Sequence, residues 1–430
     1  MYLIYSALLA GALLLGSPYW LFEMLRHGKY RRGLGERLGI VPQRIRFEGQ
    51  RSVWLHAVSV GEVLAVSELV RQLRFEYPEH RIVVSTTTDA GQKLAAARFG
   101  AENAFYFPFD FELCVSPYFA ALHPELIVIA ETEFWPNFLR TAHRRGVRVA
   151  IVNARISDRS LPGYQRWRPL LRRVLSSVDL LLAQTPEDAR RLSEIGAPKD
   201  RVFVGGNLKF DVPASSSPKI VNQLRSALES SGPVLVCGST VEGEESLLLE
   251  AFRSVLARYP SAVMLLAPRH PERFPQVADQ LQQSQVKFWK RSTWKDESLF
   301  GGGVLLVDSI GELASLYSLA DVAFVGGSLV PRGGHSILEP AQYGVAIVVG
   351  PHTENFRDIV ELFRSQDAVR IVGPADLGQT LIDLLANDAD RRSLGRRAFE
   401  TLQSQRGATQ FTMEKLRTLL KAGVREAHPA

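Results

Sequence analysis

"DVAFVGGSLVPRGGHSILEP" (321–340) runs an apolar stretch into paired glycines, a histidine, a serine and a Glu-Pro step. The uncharged run VAFV reads as a strand buried on both faces, as strands of parallel sheets are. A strand, a glycine-rich loop and a helix start together form the repeating unit of a doubly wound α/β domain, whose ligands bind beyond the carboxyl ends of the strands. Gly333 and Gly334 permit a tight turn and close backbone approach to a ligand. The helix predicted to begin near His335 would offer free N–H groups and the positive end of its dipole to an anion. Glu339, one turn further, is placed to accept hydrogen bonds from the two hydroxyls of a ribose, and Pro340 follows inside the helix. The alternative is a tight turn capped by Ser336 with a surface glutamate. The spacing fits neither a metal-ligand set nor the dinucleotide fingerprint G-x-G-x-x-G.

The same rhythm extends over the chain. "SVWLHAV" (52–58), "RIVVSTT" (81–87), "ELIVIAE" (125–131), "VRVAIVNA" (147–154), "DLLLAQT" (179–185) and "RVFVGG" (201–206) predict one parallel sheet. "PVLVCGS" (233–239), "AVMLLAP" (262–268), "VKFWK" (286–290), "GVLLVDS" (303–309), "DVAFVGG" (321–327) and "VAIVVGP" (345–351) predict a second. The stretch "GGNLKFDVPASSSPKI" (205–220) interrupts with Gly, Pro and Ser. The organisation expected is α/β: residues 23–208 and 221–430 form two doubly wound Rossmann-like domains facing a central cleft, joined by a linker at 209–220. A length of 430 residues suits two domains better than one core.

Net charge is +6 with no long basic block, which fits an anionic ligand or membrane surface and argues against nucleic acid. Cys114 and Cys237 lie far apart in apolar segments, so neither a disulfide framework nor a metal site is indicated. Residues 1–22, "MYLIYSALLAGALLLGSPYWLF", carry no charge, and as a helix would measure about 33 Å, enough to cross a bilayer. "RHGKYRRG" (26–33) follows closely, whereas a cleaved signal peptide carries its positive charges before the apolar run. This predicts a retained anchor with the rest of the chain in the cytoplasm. Gly11, Gly16 and Pro18 keep open a helix lying in the interface or packed on a domain.

The segments after the strands are polar, and six of them occur together in a known order: "AVSVGE", "ETEFWPN", "GNLKFD", "GSTVEGE", "PRHPERF" and "GGHSILEP". In sequence and context they resemble the 3-deoxy-D-manno-octulosonic acid (Kdo) transferases of lipopolysaccharide synthesis, which have the two-domain GT-B fold. The resemblance implies metal-independent, inverting transfer of Kdo from CMP-Kdo to a lipid A precursor (lipid IVA), without a cofactor, at the cytoplasmic side of the inner membrane. Glu62, in a first helical turn, resembles the family's catalytic base; by itself it would be a capping residue. Glu131 and Lys209 match residues taken to stabilise the transition state. Lys209 offsets charge building on the departing phosphate or sugar carboxylate. Glu131 either orients Lys209 or balances positive charge on the sugar.

CMP is expected at Arg269, His270, Ile310, Gly311, Glu312, Ser336, Ile337, Leu338 and Glu339, with lesser contributions from Ser239, Gly334 and His335. Arg269 can grip phosphate through its planar fork of donors. The main chain of 310–312 can recognise cytosine, although a plain strand-to-helix turn capped by Ser309 fits the same residues. Ser336 stands where the family more often has asparagine. Three rival readings are a nicotinamide oxidoreductase, a sugar-nucleotide epimerase of related architecture and a non-catalytic cytidine nucleotide sensor. The first is disfavoured by the missing glycine fingerprint.

Overall fold

The computed structural model describes residues 1–27, 31–46, 49–211, 218–229, 231–295 and 302–421. Of the segments singled out above, residues 28–30 of the basic stretch and linker residues 212–217 lie outside the described residues. The chain divides into two compact units, one comprising Met1–Asp211 with Arg406–Ala430 and the other Val212–Gln405.

The first unit holds β1 (Ser52–His56), β2 (Arg81–Thr86), β3 (Ala104–Tyr106), β4 (Pro124–Ala130), β5 (Arg148–Ala154), β6 (Leu180–Ala183) and β7 (Val202–Val204). They form a seven-stranded sheet in the order β3-β2-β1-β4-β5-β6-β7, and all neighbouring pairs are parallel. Alternation along β1 shows how both faces are covered. Trp54 enters one core, where its ring lies 4.8 Å from that of Phe138, while Val53 and Leu55 enter the core on the opposite face. The Trp54 indole N–H is satisfied by the Ser85 hydroxyl at 2.8 Å, so this polar group is buried without loss of its hydrogen bond.

The second unit holds β8 (Val234–Thr240), β9 (Val263–Pro268), β10 (Phe288–Lys290), β11 (Gly303–Leu306), β12 (Val322–Val325), β13 (Ala346–Val349) and β14 (Arg370–Ile371). The order is β10-β11-β9-β8-β12-β13-β14, again wholly parallel. Strand order reverses beside β1 and β4 in one sheet and beside β8 and β12 in the other. At such switch points the loops leaving adjacent strands part to opposite faces and leave a crevice for a ligand.

Two short edge strands, β3 and β14, were not expected from the sequence. With three and two residues they are too short to carry a periodic signal. The C-terminal segment also differs from the expected span 221–430. Helix Ala408–Lys421 contributes Ala408, Met413 and Leu416 to the core of the first unit. It is fixed there by a two-pronged ion pair of Arg417 with Glu76 (2.5 and 2.7 Å) and by Asp211, which accepts the N–H groups of Gly407 (2.8 Å) and Thr409 (2.5 Å).

The N-terminal helix spans Tyr2–His27, and Tyr2–Trp20 is long and apolar enough to cross a membrane, with none of that window buried. One side is tied to the first unit: Asn137 Nδ2 donates to Ser6 Oγ at 3.0 Å, and the Arg140 guanidinium sits 4.6 Å above the Tyr2 ring. Leu3, Leu8, Leu15 and Phe22 are exposed.

Candidate functional site

In the first unit the loops after β1 and β4 flank the switch point, and they carry Glu62 and Glu131. Ser59 is the N-cap of helix Val60–Ala65, placing Glu62 in its first turn. The Glu62 side chain folds back, so that Oε2 accepts the Val58 N–H at 2.7 Å and Oε1 the Ser59 hydroxyl at 2.9 Å. The residue is 7 % exposed. Burial raises its pKa above the ordinary glutamate value, and the negative charge of Glu131 pushes the same way. The two hydrogen bonds and the charge of Lys209 oppose the rise.

Glu131 directly follows β4 with φ 59°, a left-handed conformation that costs a non-glycine residue about 1–3 kcal/mol and that clusters at functional sites. Its carboxylate meets Lys209 Nζ at 3.1 Å, with each side chain about one-third exposed. Lys209 is positioned from two directions. Its own N–H is accepted by Asn207 Oδ1 at 3.0 Å, and the neighbouring Leu208 N–H by Asn153 Oδ1 at 3.0 Å. Asn153, buried at the end of β5, also has a left-handed backbone, φ 58°. The structure thus brings Glu62, Glu131 and Lys209 together.

It adds two residues that sequence reasoning passed over. Glu133 is half-buried, and burial, followed by repulsion from Glu62 and Glu131, pushes its pKa up to about 7. Asn153 holds the Lys209 turn. Glu133 was visible as the second acid of "ETEFWPN", but nothing local reveals that it feels the charge of Glu62. For Asn153 the only signal was an asparagine at a strand end. The chemistry available is that of a carboxylate of raised basicity beside a cation held by a second carboxylate, suited to removing a proton while negative charge grows nearby.

In the second unit the loops after β8 and β12 flank the corresponding switch point. Ser239, in the β8 end, has φ 57°. The buried Glu244 carboxylate accepts N–H groups from Val241 (3.0 Å), Gly327 (2.7 Å), Ser328 (2.9 Å) and Leu329 (2.8 Å), and so shapes the loop leaving β12. Beside it, Glu245 is gripped by Arg273 at 2.6 and 3.0 Å. Read locally, this acidic pair merely complements a helix dipole; its anchoring role needs the long-range loop.

Gly333 and Gly334 adopt φ 84° and 75°, as the bare-backbone reading requires. His335 packs against Gly327, where a β-carbon would come within 2.9 Å of the ring. Burial, with the nearby charges of Arg269 and His270, lowers the His335 pKa to about 4, so the ring is neutral at physiological pH. Its buried Nε2 has no hydrogen-bond partner among the described residues.

A helix does begin close to His335, three residues on, but it is a single turn, Leu338–Ala341, reached through irregular backbone. A helix dipole therefore contributes little, and anion binding falls to backbone turns and side chains. Ser336 Oγ accepts the Leu338 N–H at a long 3.4 Å, Ile337 and Leu338 are buried, and Glu339 sits half-buried in the turn before Pro340.

Arg269 and His270 are exposed directly after β9. In the turn after β11, Ile310 is exposed and Gly311 has φ 88°. The Glu312 carboxylate is engaged by Arg291 at 3.0 Å and by the Ser309 hydroxyl, so this side chain braces the turn.

Two parallel doubly wound units, each with its site loops at a switch point, define the GT-B class of glycosyltransferases and related enzymes. UDP-GlcNAc 2-epimerase from Neisseria meningitidis, solved bound to UDP-GlcNAc, shares the fold with TM-score 0.55 and 13 % identity over 86 % of this chain and all of that one. At that identity the likeness concerns fold alone. The family is decided by sequence. The family model of 3-deoxy-D-manno-octulosonic-acid transferase (kdotransferase) matches residues 32–212. The 3-deoxy-D-manno-octulosonic acid transferase of Haemophilus influenzae is 35 % identical over 406 residues, covering 92 % of this chain and 93 % of that protein. That of Bordetella pertussis is 34 % identical over 378 residues, covering 85 % and 86 %. The chain belongs to the Kdo transferase family and is a glycosyltransferase.

Proposed function

We propose that the donor is CMP-Kdo and that the acceptor is a hydroxyl of the glucosamine disaccharide of a membrane-borne lipid A precursor, lipid IVA. The observation that carries the reading is the constellation of Glu62 with the Glu131–Lys209 ion pair at 3.1 Å. Glu62 takes the proton of the attacking hydroxyl. The acceptor oxygen bonds to the anomeric carbon of Kdo from the face opposite the phosphate, the carbon–phosphate-oxygen bond breaks, and CMP departs with inversion. Lys209 offsets the charge on the leaving phosphate or on the sugar carboxylate. The short Glu131–Lys209 contact favours an orienting role for Glu131.

In the second unit Arg269 and the turns around Gly311 and Gly334 hold the nucleotide, with Ser336 and Glu339 toward phosphate and ribose. Arginine and lysine side chains carry the countercharge that a metal supplies in other transferases. The exposed apolar side of the N-terminal helix supports attachment to a bilayer. Arg166, Arg168, Arg172 and Arg173, all exposed, support an anionic lipid surface and acceptor.

Incubation with CMP-Kdo and lipid IVA, read by mass spectrometry, tests the proposal. The expected result is release of CMP with acceptor mass raised by one or more Kdo units. Binding of CMP-Kdo without product would make the chain a sensor, and CMP-Kdo hydrolysis without transfer would remove the acceptor assignment.

A further inference from the structure

A cavity of about 820 Å³ lies between the N-terminal helix and the first sheet's loops. Its volume falls within the roughly 300–1,000 Å³ of small-ligand sites. One wall consists of Leu13, Ser17, Trp20 and Met24, whose spacing of three and four residues places them on a single face of the helix. The opposite wall includes Phe109 and Phe111, and Cys114 lines it too. One part of the lining is polar, formed by Arg37, Thr87, Thr88 and Asp89. The Arg37 guanidinium donates to the Thr87 carbonyl at 2.5 Å and lies 4.7 Å from the Tyr106 ring, whose hydroxyl reaches Asp89 at 2.9 Å.

This polar part is joined to the candidate base. Thr87 and Thr88 both donate their N–H groups to the Val58 carbonyl at 3.1 Å, and the Val58 N–H is the one held by the Glu62 carboxylate at 2.7 Å. Exposed apolar side chains lie close by: Leu38 belongs to the lining, Ile40 and Leu113 are close in sequence to the lining residues Leu38 and Cys114, and Leu8 and Leu15 are exposed on the helix. A ligand here would have its apolar part against the membrane helix and its polar part beside the loop that carries Glu62.

Resting on the acceptor class proposed above, we propose that this cavity receives an acyl chain of the lipid acceptor and thereby sets its sugar hydroxyl at Glu62. The helix is then a wall of the acceptor site as well as a membrane attachment. A chain of the surrounding bilayer is the competing occupant, but it gives no reason for the polar end to adjoin the catalytic loop.

The test fills the cavity. Ser17→Trp acts from the helix and Cys114→Phe from the facing wall, so that a folding defect in one leaves the other informative. Each is assayed in detergent with lipid IVA and with its fully deacylated counterpart. In both variants KM for lipid IVA should rise at least tenfold, with kcat/KM for the deacylated acceptor and KM for CMP-Kdo unchanged. An acceptor with one methylene fewer per chain should lose about fourfold in kcat/KM for each methylene that leaves the cavity.

Independently of turnover, lipid IVA should protect Cys114 of the wild type from maleimide, while phosphatidylglycerol vesicles should not; Cys237 is buried. Unchanged KM for lipid IVA in both variants, or equal protection by the vesicles, would overturn the assignment. Should the wild type transfer Kdo to neither acceptor, the proposed acceptor class fails, and Cys114 protection by lipid IVA still decides the cavity.

Discussion

Replacing Glu62 with glutamine separates catalysis from helix capping, because the structure assigns a different magnitude to each. The carboxylate accepts from two donors, the Val58 N–H and the Ser59 hydroxyl. A glutamine oxygen can replace one acceptor, while its NH₂ group would face the other donor. One hydrogen bond is lost and one buried donor is left to rearrange, at a cost of about 1–3 kcal/mol. For a domain of this size that lowers Tm by about 2–4 °C per kcal/mol. The protein should therefore remain folded at assay temperature and bind CMP-Kdo normally. Loss of the base, in contrast, should reduce kcat by about 10²- to 10⁴-fold. Differential scanning calorimetry, CMP-Kdo titration and single-turnover transfer measure the three quantities. Turnover within about threefold of wild type alongside the fall in Tm would refute the catalytic role and leave Glu62 as a cap.

The base role proposed for Glu62 makes a signed pH prediction: a base acts deprotonated, burial and Glu131 raise the Glu62 pKa, and kcat/KM should therefore fall as pH drops through that raised value. Glu131→Gln removes a repelling charge and should move this acid limb down, whereas Lys209→Met should move it up; opposite shifts would exclude Glu62 as the titrating group. Arg269→Ala should weaken CMP-Kdo binding by about tenfold or more, consistent with loss of a charge-assisted contact to phosphate, and leave Tm unchanged because the side chain is exposed; calorimetric titration checks both. Exhaustive EDTA treatment should leave transfer unaltered, and activity lost and then restored by Mg²⁺ would require another source of countercharge than Arg269 and Lys209. Deletion of residues 1–22 should leave CMP-Kdo affinity intact yet reduce transfer to lipid IVA in detergent as well as in vesicles, since it removes Leu13, Ser17 and Trp20 from the cavity wall; a loss confined to vesicles would return the helix to a simple tether.

Much of the fold was legible because a parallel strand covered on both faces must be apolar at every position, and runs such as RIVVST (81–86) and VAFV (322–325) announce this locally. The polar loops of the candidate site could be read for a related reason. They follow such strands, and their chemistry stands out as Gly-Gly, Arg-His or acid-acid steps against an apolar background. Hence Glu62, Glu131, Lys209, Arg269 and the 333–339 turn were all named from sequence. The helix expected near His335 starts at Leu338 and is only one turn long, and the Glu244 carboxylate, a distant residue, fixes the irregular loop leaving β12.

The amino-acid sequence by itself determined the alternation of strands and helices, the two sheets, the apolar first helix and the kinds of side chain at each strand end. All of these depend on residues close in the chain. Only the tertiary structure decided which strand ends adjoin, and with that the placing of Glu133 within electrostatic reach of Glu62 and Glu131 and of Asn153 beneath the Lys209 turn. It also decided that Ala408–Lys421 completes the first core rather than the second, and that one side of the N-terminal helix walls a cavity. Each of these rests on partners tens to hundreds of residues apart, as Asp211 is from Thr409. Local propensity contains no information about such pairs, whose choice is made by packing and by satisfying buried hydrogen-bonding groups once the sheets have formed.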